Sequence, residues 1–285
     1  MAVKVRSGDD AAEAWGAAGD FLLTEPVRHT IFITFVQGRV AHRETGRYWW
    51  AEDEADGAVV GFAMQAPVGF YAGVAPTSPD VVDALCDRMI ADGVDLPGVI
   101  GEAAVAARFA GRWAERMAVP ARPTEGQRVY ALDRVVPASG PPVPGRLRPA
   151  VPDDRETLVR WGYAFLDAVG PFPVTPETMV DRPTAEGRLW VWDDDGPAAM
   201  ANATVPSAGV VRIGFVYTPP ERRRRGYASA CVAGLSSHLL AVPGVDRCTL
   251  FTQLHNPTSN AIYRRMGYEP VAEVVFYDFG AQPAL

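Results

Sequence analysis

Four consecutive arginines, Arg222 to Arg225, stand just ahead of a helical pattern and are followed by Gly226, Tyr227 and Ala228. A helix begins at the positive end of its macrodipole, so each cation there costs roughly 0.3–1 kcal/mol, and neighbouring arginines repel one another. A bound polyanion reverses the sign of that conflict. Helix N-terminal amides and guanidinium groups together make an anion site, and the small residues Gly226 and Ala228 let backbone approach the ligand closely. A solvated basic turn or a nucleic-acid patch would use the same four residues, so the cluster alone leaves its role open.

The elements around the arginines narrow it. Val210–Tyr217 is β-branched, apolar and aromatic, and reads as a buried strand. Pro219 and Pro220 end it, because proline cannot donate to a ladder. Ala228, Cys231, Val232, Leu235 and Leu239 then mark one face of a helix running to Leu240. A second string follows the strand Cys248–Gln253, from His255 to Tyr268. Asn256 suits a cap, Pro257 the first helical position and Gly267 the stop. Asn256, Asn260 and Tyr263 stand at i, i+4 and i+7, on one helical stripe, which is either a solvated face or a functional one. Tyr263, with an unperturbed pKa of about 10, keeps its proton at neutral pH and has one to give. His255 titrates near neutrality and is either a base or a surface loop residue. His238 reads as structural, and His29 and His42 carry no clear role.

Arg223-x-x-Gly226-x-Ala228 after a strand resembles the acyl-CoA pyrophosphate loop of the GNAT-type N-acetyltransferases, Gln/Arg-x-x-Gly-x-Gly/Ala. The string from Asn256 to Tyr268 resembles that family's second motif, Asn-x-x-(Ser/Ala)-x-x-(hydrophobic)-Tyr-x-x-x-Gly-(Phe/Tyr), in the same order after a strand. The resemblance covers about residues 146–279 and, more dimly, the N-terminal half. It implies an α/β fold, a mixed central sheet flanked by helices, in two tandem copies. It implies acetyl-CoA as cosubstrate and no metal. Cofactor contacts would come from Phe215, Val216 and Tyr217, through strand backbone on the pantetheine arm. Arg223, Arg224, Arg225, Gly226, Tyr227, Ala228 and Ser229 would hold the pyrophosphate, with Asn256 and Asn260 nearby. Tyr263 would protonate the departing thiolate, and amides at the end of the Phe215–Tyr217 strand would stabilise an oxyanion. Several family members carry an acidic base on this strand, but Val210–Tyr217 has none, so the base is left to His255 or to a water chain. The helix-loop-helix through Gly170-Pro171-Phe172-Pro173 would shape the acceptor pocket, with Trp161, Phe165 and Phe172 as lining or core residues.

The chain of 285 residues carries a net charge of −7, which argues against a dedicated nucleic-acid binder. Cys86, Cys231 and Cys248 lie far apart with no zinc spacing, as in a reduced, cytoplasmic protein. No signal peptide or membrane span is read, so neither membrane nor nucleic acid is expected as a partner. Asp193-Asp194-Asp195-Gly196 reads as a solvated hairpin turn rather than a calcium loop. The proline-rich segment 137–145 reads as a semi-rigid extended linker. It separates a degenerate GNAT-like domain, 1–136, from an acetyl-CoA-binding domain, 146–285. Arg47–Asp53 matches Arg188–Asp194 in pattern, each an aromatic strand running into an acidic turn. The first half lacks the arginine–glycine loop; Thr77-Ser78-Pro79-Asp80 stands there instead.

The expected function is an acetyl-CoA-dependent N-acetyltransferase acting on an amine by direct attack. The alternative is a non-catalytic acyl-CoA-binding regulatory module.

Overall fold

The computed structural model describes residues 2–139, 141–169 and 174–280. Contacts divide the chain into two units. Unit 1 takes in Met1–Val129, Thr252–His255 and Val271–Leu285, and unit 2 takes in Tyr130–Phe251 and Asn256–Pro270.

Unit 1 opens with β1 (Val3–Gly8), α1 (Ala11–Leu23), α2 (Thr30–His42), β2 (Arg47–Asp53), β3 (Val59–Gln65) and β4 (Ala72–Val74). It continues with α3 (Pro79–Ala91), β5 (Gly98–Glu102), α4 (Ala103–Met117) and most of β6 (Ala121–Leu132). The Asp10 carboxylate accepts from the amides of Ala12 and Glu13 and so starts α1. β1–β2, β2–β3 and β3–β4 are antiparallel, and β4–β5 is parallel. Val82, Leu85 and Met89 of α3 and Phe109 and Trp113 of α4 bury one helical stripe each in a common core. α1, α2 and the other face of β2 and β3 build a second core.

Unit 2 holds β7 (Arg146–Pro149), α5 (Arg155–Val169), α6 (Pro176–Ala185), β8 (Leu189–Asp193), β9 (Pro197–Ala203) and β10 (Val210–Tyr217). Then come α7 (Tyr227–Leu240), β11 (Arg247–Gln253), α8 (Pro257–Arg265) and the start of β12 (Glu269–Phe279). The strand order is β11-β10-β9-β8-β7. β7–β8, β8–β9 and β9–β10 are antiparallel and β10–β11 is parallel, repeating the scheme of unit 1. The two matching aromatic runs are β2 and β8, the second strand of each unit.

The division departs from the expected boundaries of 1–136 and 146–285. β12 follows α8 in the chain, yet it pairs antiparallel with β5, from Val274↔Glu102 to Asp278↔Gly98, and Val271 onward counts with unit 1. Its apolar pattern marks a strand but not the edge that receives it. The proline-rich segment expected as a semi-rigid linker makes contacts of its own within unit 2. Val143 packs on the α7 core and the Trp192 indole donates to the Pro144 carbonyl at 2.7 Å; Gly140 lies outside the described residues. At the head of α5, Asp154 accepts from the Val151 amide and pairs with Arg148 at 2.6 Å. Arg148 also reaches Asp193, tying β7 to β8. Burial alone would raise the Asp154 pKa, but the Arg148 guanidinium and the Val151 amide together outweigh it and hold the carboxyl below its usual range.

Candidate functional site

The site is built around β10. Val211 and Ile213 face α7 and are fully buried in its core. Pairing with β11 runs from Val210↔Arg247 to Ile213↔Leu250, whereas β10 itself continues to Tyr217. The register with β9 shifts between Gly214 and Tyr217, which is a bulge. Within it Phe215 sits at φ 48°. An aromatic residue at positive φ is a true outlier, costing about 1–3 kcal/mol, and such strain concentrates at functional sites. The result is a distorted strand end extending beyond its paired stretch with β11.

That end leads into the arginines. Pro220–Arg222 form one short 3₁₀ turn, Arg224 takes φ 63° and Gly226 φ 82°, and α7 starts at Tyr227. No side chain caps α7, and no acidic residue occupies its first turn. Arg223, Arg224 and Arg225 are exposed. Arg223 donates through Nε to the Thr218 carbonyl at 3.0 Å and lies 6.0 Å from the Tyr217 ring centroid. Arg222 donates to the Asp194 carbonyl at 3.4 Å. Among the described residues none of the four pairs with a carboxylate, whereas Arg148, Arg155, Arg188 and Arg247 all do. Uncapped amides and uncompensated guanidinium groups at one helix start form a cradle suited to a polyanion. Ala228 and Ser229 are half-buried in that first turn. Tyr227 is different: its ring is in the core and its hydroxyl donates to the Asp194 carboxylate, leaving only its amide for a ligand.

α8 carries the second motif. Asn256 caps it, accepting from the Ser259 amide at 3.0 Å. Asn260 is buried; its Nδ2 donates to the Asn256 carbonyl at 2.7 Å and its Oδ1 accepts from the Tyr130 hydroxyl at 2.8 Å. The stripe is therefore a buried face rather than a solvated one. Both asparagines spend side-chain atoms within the protein. Tyr263 lies between Tyr130 and Tyr268, at 6.3 and 5.8 Å between ring centroids. Burial, with a smaller contribution from Cys231, pushes its pKa up to about 12. A phenol so placed stays protonated across the physiological range.

On the opposite face of β10 stand the α5 aromatics. Trp161 is buried against Tyr217, 5.9 Å between centroids, as a core residue. Phe165 is half-buried and meets Phe215 edge to face at 5.6 Å. Thr175 caps α6 through the Thr178 amide. Gly170, Pro171, Phe172 and Pro173 lie outside the described residues. His255 is exposed in unit 1, 4.0 Å from Glu125. His238 packs against Trp190 with the rings tilted, 4.6 Å between centroids. All three cysteines are buried, and burial pushes each thiol up to about 12, so none is a ready nucleophile. Neither the bulge nor the Phe165–Phe215 contact was visible in the sequence. Gly214 was the one local hint of an irregular strand.

The sequence profile of the acetyltransferase (GNAT) family matches residues 158–268, which span α5 through α8 and contain both motifs. This stretch is a GNAT-family domain. Solved structures with the same fold extend the likeness over the whole chain. A GCN5-related N-acetyltransferase from Sphaerobacter thermophilus aligns with TM-score 0.59 and 17% identity, over 96% of this chain and 94% of its own. A GNAT-family acetyltransferase from Colwellia psychrerythraea gives 0.60 and 10%, over 97% and 99%. A tandem GNAT protein from the clavulanic acid biosynthesis pathway gives 0.55 and 16%, over 99% and 100%. At these identities the likeness is one of fold. No curated protein sequence matches this chain. Among the described residues no helix is long and apolar enough to cross a membrane.

Proposed function

We propose that the chain is an acetyl-CoA-dependent N-acetyltransferase of the cytoplasm, with one cofactor site, in unit 2, and an amine as acceptor. The observation that carries this reading is the continuity of a bulged, partly unpaired strand end with an uncapped, arginine-rich helix start. The first offers backbone groups to a pantetheine arm, and the second offers amides and guanidinium groups to a pyrophosphate. In this reading the backbone of Phe215, Val216 and Tyr217 takes the arm. Arg223, Arg224 and Arg225 hold the phosphates with the amides of Gly226, Tyr227, Ala228 and Ser229. Asn256 and Asn260 lie near the cofactor in this reading and also fix the turn of α8 that carries Tyr263.

The thioester supplies an activated acetyl group. The protein's part is to hold it in line with the amine and to deliver a proton to the sulfur as it departs. Tyr263 suits that delivery, because its phenol is protonated at neutral pH and has a proton to give. Removing the proton from the amine falls to water on backbone groups, since β10 carries no carboxylate. That lack of a strand carboxylate also favours a second reading, a regulatory module that binds acyl-CoA without turning it over. Calorimetric titration with acetyl-CoA tests the cofactor site, and free-thiol release with a panel of amines separates enzyme from module. Binding without thiol release on any amine would select the module, and absence of binding would remove both.

A further inference from the structure

The Phe165–Phe215 contact joins a strained residue to the helix that faces it. β10 and β11 are paired up to Ile213↔Leu250 and no further, so the closed end of that parallel pair lies next to the bulge. The anion cradle lies at the other end, past Tyr217. An arm running from the cradle along β10 therefore brings its acyl end to Gly214–Phe215. On one face of the sheet that spot is closed by Ile213 and Val216, packed on the α7 core. An acyl chain longer than acetyl must grow toward the α5 face. There the Phe215 ring meets Phe165 edge to face at 5.6 Å. Glycine would hold φ 48° without strain, yet a phenylalanine stands there, so the fold carries backbone strain to keep a ring at this point.

We propose that the Phe165–Phe215 pair limits the acyl group to acetyl size. This rests on the cofactor reading above. Each buried methylene is worth about fourfold in affinity, so the two extra methylenes of butyryl-CoA represent roughly fifteenfold if they find a pocket. The test compares CoA, acetyl-CoA and butyryl-CoA by calorimetry in the parent, in Phe215→Gly and in Phe165→Ala. The second variant leaves the β10 backbone untouched. The expected result has butyryl-CoA binding no tighter than acetyl-CoA in the parent and gaining about tenfold relative to it in both variants, while CoA affinity stays within about threefold in Phe165→Ala, whose side chain is outside the assigned cofactor contacts. A butyryl-to-acetyl ratio within about threefold of the parent's in either variant, or a parent that already prefers butyryl-CoA, overturns the proposal and leaves the cofactor reading in place. A parent that does not bind CoA overturns both.

Discussion

The hydroxyl of Tyr130, in β6, donates to Oδ1 of Asn260, in α8, while the same amide's nitrogen holds the carbonyl of the helix cap, Asn256. Residues 130 positions apart thus fix the first turn of the helix that presents Tyr263. Leaving a buried hydroxyl without a partner costs about 1–3 kcal/mol. Asn260→Ala should lower stability by that amount, read as a shift of the urea midpoint at unchanged slope. An unshifted midpoint would mean that this amide is dispensable to the fold.

Tyr263→Phe keeps the ring and removes only the hydroxyl. If the phenol acts as the acid, kcat should fall at least ~30-fold, since general acid catalysis is worth about 10²–10⁴-fold and water partly substitutes. Affinity for acetyl-CoA should stay within about threefold. With the pKa pushed up to about 12, the parent should show no loss of activity traceable to Tyr263 below pH 10. Parent-like turnover in the variant, with chemistry shown to be rate-limiting, assigns the ring to packing.

Gly226 answers to two constraints. Its φ of 82° suits glycine, and an added Cβ would come within 2.9 Å of Val143. Gly226→Ala should cost about 1 kcal/mol or more of stability through the backbone alone. Gly226→Asp adds a negative charge to the cradle and should also lose at least ~3 kcal/mol of acetyl-CoA binding, roughly a hundredfold. Equal cofactor affinity in the parent and the aspartate variant is the outcome that would falsify the loop assignment.

Unit 1 has the same strand and helix order, but Asp80 sits in the first turn of α3 where unit 2 has arginines before α7. A carboxylate there complements the helix dipole and repels phosphate. Titration should give one acetyl-CoA per chain. Two equivalent sites, or a site surviving Gly226→Asp, would contradict this.

His29 is 1% exposed, with Nδ1 on the Leu22 carbonyl at 2.9 Å and Nε2 unpartnered among the described residues. Burial lowers its pKa below the ordinary value, against smaller raising effects of that carbonyl, Glu25 and Glu102. The unfolded chain therefore binds a proton that the folded chain refuses. Stability is full above about pH 6.5 and is lost as pH falls toward the folded pKa, by at most about 1.4 kcal/mol per pH unit. Urea midpoints from pH 7 to pH 5 should fall more steeply in the parent than in His29→Gln; parallel curves would exclude this contribution.

Much of this was legible in the sequence because it is local. Val210–Tyr217, the helix to Leu240 and the capped helix after Asn256 follow from periodicity, proline and glycine within a few residues of each boundary. What stayed hidden depends on partners far along the chain. The strand pattern of Val271–Phe279 is plain, but its pairing with β5 is not. Asn260 reads as a surface polar residue until Tyr130 is brought to it. The positive φ of Phe215 arises from a register shift against β9, and no property of phenylalanine announces it.

The placement of β12 sets a timetable for synthesis. β5 ends at Glu102, and its antiparallel partner begins with Val274, about 170 residues later. At about 5–20 residues per second, the first unit waits roughly 10–30 s on the ribosome with an open sheet edge. Its folding is thus completed by the last described strand to be made. A nascent chain arrested before β12 would expose that edge to other chains, however intact its own first 130 residues.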